Sequence, residues 1–126
     1  MKKFLIALLM MVSSAAFAAT DLTPENYEAE LTKSLDAGTP VVIEFYADWC
    51  GYCQIQKPMY AQAEKSLAGK ANFYRVNVDS KNPMARQIDG IPTIIVLKSR
   101  GSQVNPIVGA QKTQQELEAA ILERLQ

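Results

Sequence analysis

The 126-residue chain contains two cysteines and no histidine. The cysteines, Cys50 and Cys53, are separated only by Gly51 and Tyr52. Two thiols at this spacing can exchange electrons, ligate a metal or staple the fold. A closed zinc site takes about four Cys or His ligands, so one copy of this chain can close none. Only shared or copper(I) sites are left open. Covalent haem would require histidine directly after the second cysteine, and Gln54 stands there. A disulfide across so short a loop removes little chain entropy and is a poor staple. The residues favour redox chemistry, with no metal and no cofactor.

The flanking elements are suited to presenting such a pair. Val41-Val42-Ile43-Glu44-Phe45 is apolar, β-branched and aromatic, the pattern of a buried strand. From Gln54 to about Leu67 the apolar residues recur at helical spacing, with Pro58 expected to kink the helix. A strand therefore delivers two thiols to the start of a helix. There the unsatisfied N–H groups and the positive end of the dipole stabilise a thiolate at Cys50. Cys53, one turn on, is expected deeper and able to resolve a mixed disulfide formed at Cys50. One residue breaks the strand's apolarity: Glu44.

The remaining elements follow from their punctuation. Thr23-Pro24-Glu25 starts a helix with the stripe Tyr27, Leu31 and Leu35, which stops at Gly38. Phe73 to Asp79 reads as a strand, and Asn82-Pro83 opens a short helix that ends before Gly90. Thr93 to Lys98 is a third strand. Val104 to Val108 is a fourth, limited to an edge by Pro106. Thr113-Gln114-Gln115-Glu116 is a capping box for a closing helix with Leu117, Ile121 and Leu125 on its face. This order argues one α/β domain with helices on both faces of a sheet.

The N-terminus reads as a targeting segment. Lys2 and Lys3 precede the apolar run Phe4 to Val12, and Ala16-Phe17-Ala18 fits the small-x-small cleavage rule. The run is shorter than the about 20 residues that span a bilayer. Residues 1–18 are expected to be a cleaved signal peptide and 19–126 a single domain in the periplasm, where disulfides persist. Thirteen basic residues balance 13 acidic ones, and losing Lys2 and Lys3 makes the chain slightly acidic. Scattered basic residues give no electrostatic footprint for nucleic acid.

Three segments together carry a family resemblance: Phe45-Tyr46-Ala47-Asp48-Trp49-Cys50-Gly51-Tyr52-Cys53, Gly90-Ile91-Pro92-Thr93 and Val108-Gly109-Ala110. The chain resembles a thioredoxin from about Leu22 to Gln126. The resemblance implies the thioredoxin fold, a central mixed sheet flanked by helices on both faces. It also implies a cis Ile91-Pro92 peptide that faces the cysteines and holds an extended substrate segment through backbone hydrogen bonds. Glu44 falls where the family carries a shorter buried Asp beneath the second cysteine, which implies a proton relay to Cys53. Arg75 matches the position of that acid's basic partner. Trp49, Gly51, Tyr52, Ile91 and Pro92 are the implied substrate-binding residues, and Cys50, Cys53 and Glu44 the catalytic ones.

Gly51-Tyr52 departs from the Gly-Pro of cytosolic thioredoxins and is similar to the pair in periplasmic disulfide isomerases. Tyr46 to Cys50 also resembles the C-terminal domain of the periplasmic electron-transfer reductase. The expectation is a monomeric thiol-disulfide oxidoreductase that reduces protein or peptide disulfides and receives electrons from a membrane-bound donor. The alternatives are an isomerase or oxidase of the same fold, or a binding module without turnover, either a chaperone or a copper(I)-handling protein.

Overall fold

A computed structural model of the chain describes residues 19–102 and 104–126. The expected signal peptide, residues 1–18, lies outside the described residues. The elements run β1 (Thr20–Asp21), α1 (Tyr27–Asp36), β2 (Val41–Tyr46), α2 (Gly51–Ser66), β3 (Asn72–Asn77), two 3-10 turns (Val78–Ser80 and Pro83–Gln87), β4 (Thr93–Leu97), β5 (Ile107–Val108) and α3 (Gln114–Leu125). The strands form one sheet in the order β1-β3-β2-β4-β5. β2 is central, parallel to β3 and antiparallel to β4. No helix among the described residues is long and apolar enough to cross a membrane.

Every residue of β2 is buried, as a run apolar and aromatic at all positions but Glu44 leads one to expect. Val41, Ile43 and Phe45 join Leu22, Tyr74 and Val76 in a core covered by Tyr27, Leu31 and Leu35 of α1, by Met84 and Ala85 of the second 3-10 segment and by Ile88 just after it. On the opposite face Val42, Phe73, Ile94 and Val96 pack against Tyr60, Ala63 and Leu67 of α2's C-terminal part and Leu117 and Ile121 of α3. The Tyr60 hydroxyl pins α2 to the sheet by donating to the Tyr74 carbonyl at 2.6 Å, and its ring meets Phe73 edge-on.

Helix starts follow the sequence closely. Thr23 Oγ1 accepts from the Asn26 N–H while Asn26 Oδ1 accepts from the Thr23 N–H, a reciprocal cap. The first turn is wound tightly, with Asn26 N–H on the Thr23 carbonyl, so the regular helix begins only at Tyr27. In the closing box Thr113 Oγ1 accepts from Glu116 N–H, but the Glu116 carboxylate accepts from Lys112 rather than from Thr113. α2 runs on past Pro58.

Two strand expectations need correction, and the sheet gains one strand. β1 was not anticipated; it pairs with the outer edge of β3. β3 ends at Asn77 rather than Asp79, because the Asn77 side chain accepts from the Asp79 N–H and turns the chain into a 3-10 bend. The expected strand 104–108 shrinks to Ile107–Val108 on the sheet edge, since Pro106 has no N–H to give a ladder.

Candidate active site

Cys50 is the N-cap of α2, in extended backbone conformation, and it is bonded to Cys53 in a disulfide. The Cys53 N–H donates to Cys50 Sγ at 3.2 Å. One of the helix's orphan donors is thereby directed at the sulfur whose negative charge it would stabilise in the dithiol. Both cysteines are buried by neighbours, Cys53 at 1 % exposure and Cys50 at 7 %. The opening onto the sulfurs is therefore narrow, and Cys50 is the more accessible of the two, as its place ahead of Cys53 leads one to expect.

The rim carries the exposure. Trp49 is 71 % and Tyr52 69 % exposed, large apolar areas left in water on either side of the pair. The Trp49 indole is held by its Nε1–H, which donates to Asp79 Oδ2 at 2.8 Å. Asp79 was expected in a strand; the bend at Asn77 is what brings it here. Gly51 has ordinary backbone angles, and a Cβ built on it would meet nothing within 4 Å. Its smallness is therefore not required by the fold.

The facing wall is the segment before β4. The Ile91-Pro92 peptide is cis, and the Ile91 carbonyl oxygen lies 3.9 Å from Cys50 Sγ. Pro92 is buried, and its carbonyl accepts from the Gly109 N–H at 2.8 Å. Among the described residues the Ile91 N–H makes no backbone hydrogen bond. An extended segment laid along this edge would find both a donor and an acceptor at Ile91.

Against the helix that carries the pair sits the polar anomaly of β2. Glu44 is 0 % exposed and points to the α2 face. Its Oε1 accepts from Arg75 Nε at 3.1 Å and its Oε2 from Gln56 Nε2 at 3.0 Å. Arg75 stands opposite Glu44 in the parallel register, so the ion pair follows from strand alignment. Gln56 is also 0 % exposed and lies one helical turn beyond Cys53. Burial pushes the Glu44 carboxyl above its ordinary range; the Gln56 hydrogen bond, Arg75 and Lys57 pull it back without cancelling the rise.

The network extends outward. The Arg75 guanidinium lies 3.6 Å above the Tyr46 ring centre, a cation–π contact, and the Tyr46 hydroxyl donates to Asp21 Oδ1 at 2.9 Å. Burial first, then the Asp21 hydrogen bond and charge, raise the Tyr46 hydroxyl to about 12.

The structure brings Cys50, Cys53, Trp49, Gly51, Tyr52, Ile91 and Pro92 to one region and joins Glu44 to the helix of the cysteines through Gln56. The sequence reading missed Gln56, Asp79 and the Tyr46–Asp21 pair. Only Gln56 left a signal: Cys53, Gln56, Tyr60 and Ala63 form α2's buried stripe, and an amide there is out of pattern.

The thioredoxin family model matches residues 18–123. The chain belongs to the thioredoxin family. It is 35 % identical over 100 residues to thioredoxin M4 of Arabidopsis thaliana, a chloroplastic protein, covering 78 % of this chain and 50 % of that one. With thioredoxin 1 of Nostoc sp. it shares 34 % identity over 95 residues, covering 74 % of this chain and 85 % of the relative. The crystal structure of the Malassezia sympodialis thioredoxin superposes with a TM-score of 0.68 at 28 % identity, covering 86 % of this chain and 92 % of that one. The chain thus spans about half the length of the Arabidopsis relative. Within this thioredoxin the expected cis-proline wall and the buried acid with its basic partner are both present, with Glu44 and Arg75 paired directly.

Proposed function

We propose that this thioredoxin is an exported thiol-disulfide oxidoreductase that reduces disulfides in protein or peptide substrates. The observation that carries the reading is the Cys50–Cys53 disulfide at the N-terminus of α2, with Cys50 against the Ile91 carbonyl.

In the dithiol form the Cys50 thiolate attacks one sulfur of a substrate disulfide. A Cys50–substrate bond forms, the substrate S–S bond breaks, and the other substrate sulfur leaves with the electron pair and takes a proton. Cys53 then gives up its proton and attacks Cys50 Sγ. The Cys50–Cys53 bond forms, and the second substrate sulfur departs as a thiolate that is protonated in turn. Two electrons have passed to the substrate, leaving the oxidised state seen here. Ile91 holds the substrate backbone, Pro92 shapes that edge, and Trp49, Gly51 and Tyr52 form the docking rim. Glu44, held above the usual carboxylate range by burial, accepts the proton that Cys53 releases. Regenerating the dithiol needs a donor of two electrons, which for an exported protein is a membrane-bound partner. Residues 1–18 supply the export signal, the family match begins at residue 18, and the mature chain works as a monomer in the periplasm.

The dithiol form, offered insulin or a peptide disulfide, should release substrate thiols. Cys53→Ser should instead accumulate a covalent adduct at Cys50. Reversible binding without thiol release by the wild type would make the protein a binding module. The reduction potential against glutathione separates a reductase from an isomerase or oxidase, because family potentials run from about −270 mV to about −120 mV.

A further inference from the structure

Gln56 has a role that the disulfide chemistry above does not assign. Its side chain is wholly enclosed and makes two hydrogen bonds in opposite directions. Nε2 donates to Glu44 Oε2 at 3.0 Å, and Oε1 accepts from the backbone N–H of Gln111 at 3.1 Å. The partners fix the amide's orientation. A backbone N–H can only donate and a carboxylate only accept, so the flipped amide would set N–H against N–H and oxygen against oxygen. Gln111 belongs to the substrate edge: its own side chain donates to the Gly109 carbonyl, and Gly109 N–H donates to the Pro92 carbonyl. One buried amide on the helix of the cysteines thus joins the buried acid to the loop beside the cis-proline.

We infer that Gln56 is a positioning residue that fixes the Glu44 carboxylate for proton transfer from Cys53 and ties it to the Gly109–Gln111 loop. This rests on the relay assigned to Glu44 above. With Arg75 on one oxygen and Gln56 on the other, a proton reaching Glu44 must take a remaining lone pair. It weakens the charge-assisted bond to Gln56 as it does so. The same amide also holds the Gln111 N–H, so the acid and the substrate-side loop share one buried side chain. The charged and titratable groups facing Glu44 are Arg75 from β3 and Lys57 and Tyr60 from α2; β4 presents uncharged Ile94 in register.

The test uses Gln56→Met, of similar volume, with Gln56→Asn as a second variant should the first fail to fold. Two measurements are made on the dithiol protein: the Glu44 carboxyl titration by carbon-detected NMR, which needs no turnover, and the pH profile of mixed-disulfide resolution. Loss of a hydrogen bond to a charged group should move the Glu44 midpoint upward and slow resolution about tenfold below its plateau. The attack by Cys50 should be unaffected. In a Glu44→Gln background the same substitution should leave the resolution profile where Glu44→Gln alone put it. An unmoved Glu44 midpoint in either variant overturns the inference. Equal slowing in both backgrounds also overturns it, reducing Gln56 to a packing residue. A wild type that titrates as described but turns nothing over would instead sink the oxidoreductase reading and leave the Gln56–Glu44 link standing.

Discussion

Val41, Ile43 and Phe45 leave β2 toward α1, while Val42, Glu44 and Tyr46 leave it toward α2 and β3's polar edge. Both sets are buried. The α1 side is mainly hydrocarbon, in which Leu22, Phe45, Val76 and the α1 leucines enclose one another, with Ser34 and Asn82 bonded to backbone carbonyls at its margin. The α2 side buries an acid, an amide and two tyrosines among its apolar residues and half-buries an arginine. Polar groups in such a place cost several kcal/mol unless each is paired, and here each named polar side chain is hydrogen-bonded. That side also carries the disulfide. One face of a single strand thus serves stability, and the other holds charge against the helix of the reacting sulfurs.

Substitutions on the two faces should separate these roles. Cys53→Ser on the polar side should abolish multiple turnover while the Cys50 adduct persists; turnover equal to wild type, followed by free thiol release, would break the division. Phe45→Ala on the apolar side should cost about 3–5 kcal/mol by denaturant unfolding, yet leave the pH profile of mixed-disulfide resolution in place. A moved profile would mean that the faces are not separable.

A smaller effect is expected from Glu44→Gln. The Glu44 carboxyl is raised from 4.5 in the folded protein, so the native state holds its proton to higher pH than the unfolded chain does. Below 4.5 the carboxyl is protonated in both states and adds no pH dependence. As pH rises through the window up to the folded-state value, wild type should lose stability relative to Glu44→Gln, and the difference should then level off. Unfolding curves across that range check the sign, and a difference that grows the other way would mean that Arg75 and Gln56 outweigh burial. Smallest of all, Asp21→Ala removes the acceptor for the Tyr46 hydroxyl and should cost about 0.5–1 kcal/mol, with Arg75 still paired to Glu44. An Asp21→Ala loss as large as that from Phe45→Ala would show the outer end of the network to be structural.

The apolar face was the more legible in the sequence. Its apolar run and helical spacing mark Val41, Phe45, Leu31 and Leu35 without reference to anything distant. Cys50 and Cys53 were legible by type and spacing, and Ile91-Pro92 by resemblance. The polar face is written in long-range pairings. Whether Arg75 meets Glu44 depends on the register of β3 against β2, which neither strand encodes alone. Gln56 meets Gln111 across 55 residues, so its place on the buried stripe marks it as out of pattern but does not name its partner. β1 is two residues long, too short for any period. Asp79 reached Trp49 only because Asn77 bent the chain with its own side chain, a local rule that competed with β-branched Val76 and Val78 and prevailed.

Trp49 is the sole tryptophan of the chain. It adjoins Cys50 in sequence and is anchored at one ring nitrogen to Asp79. With no second indole to mask it, its emission is expected to change when the neighbouring disulfide is reduced, and a fluorescence titration with dithiothreitol, no label attached, checks this.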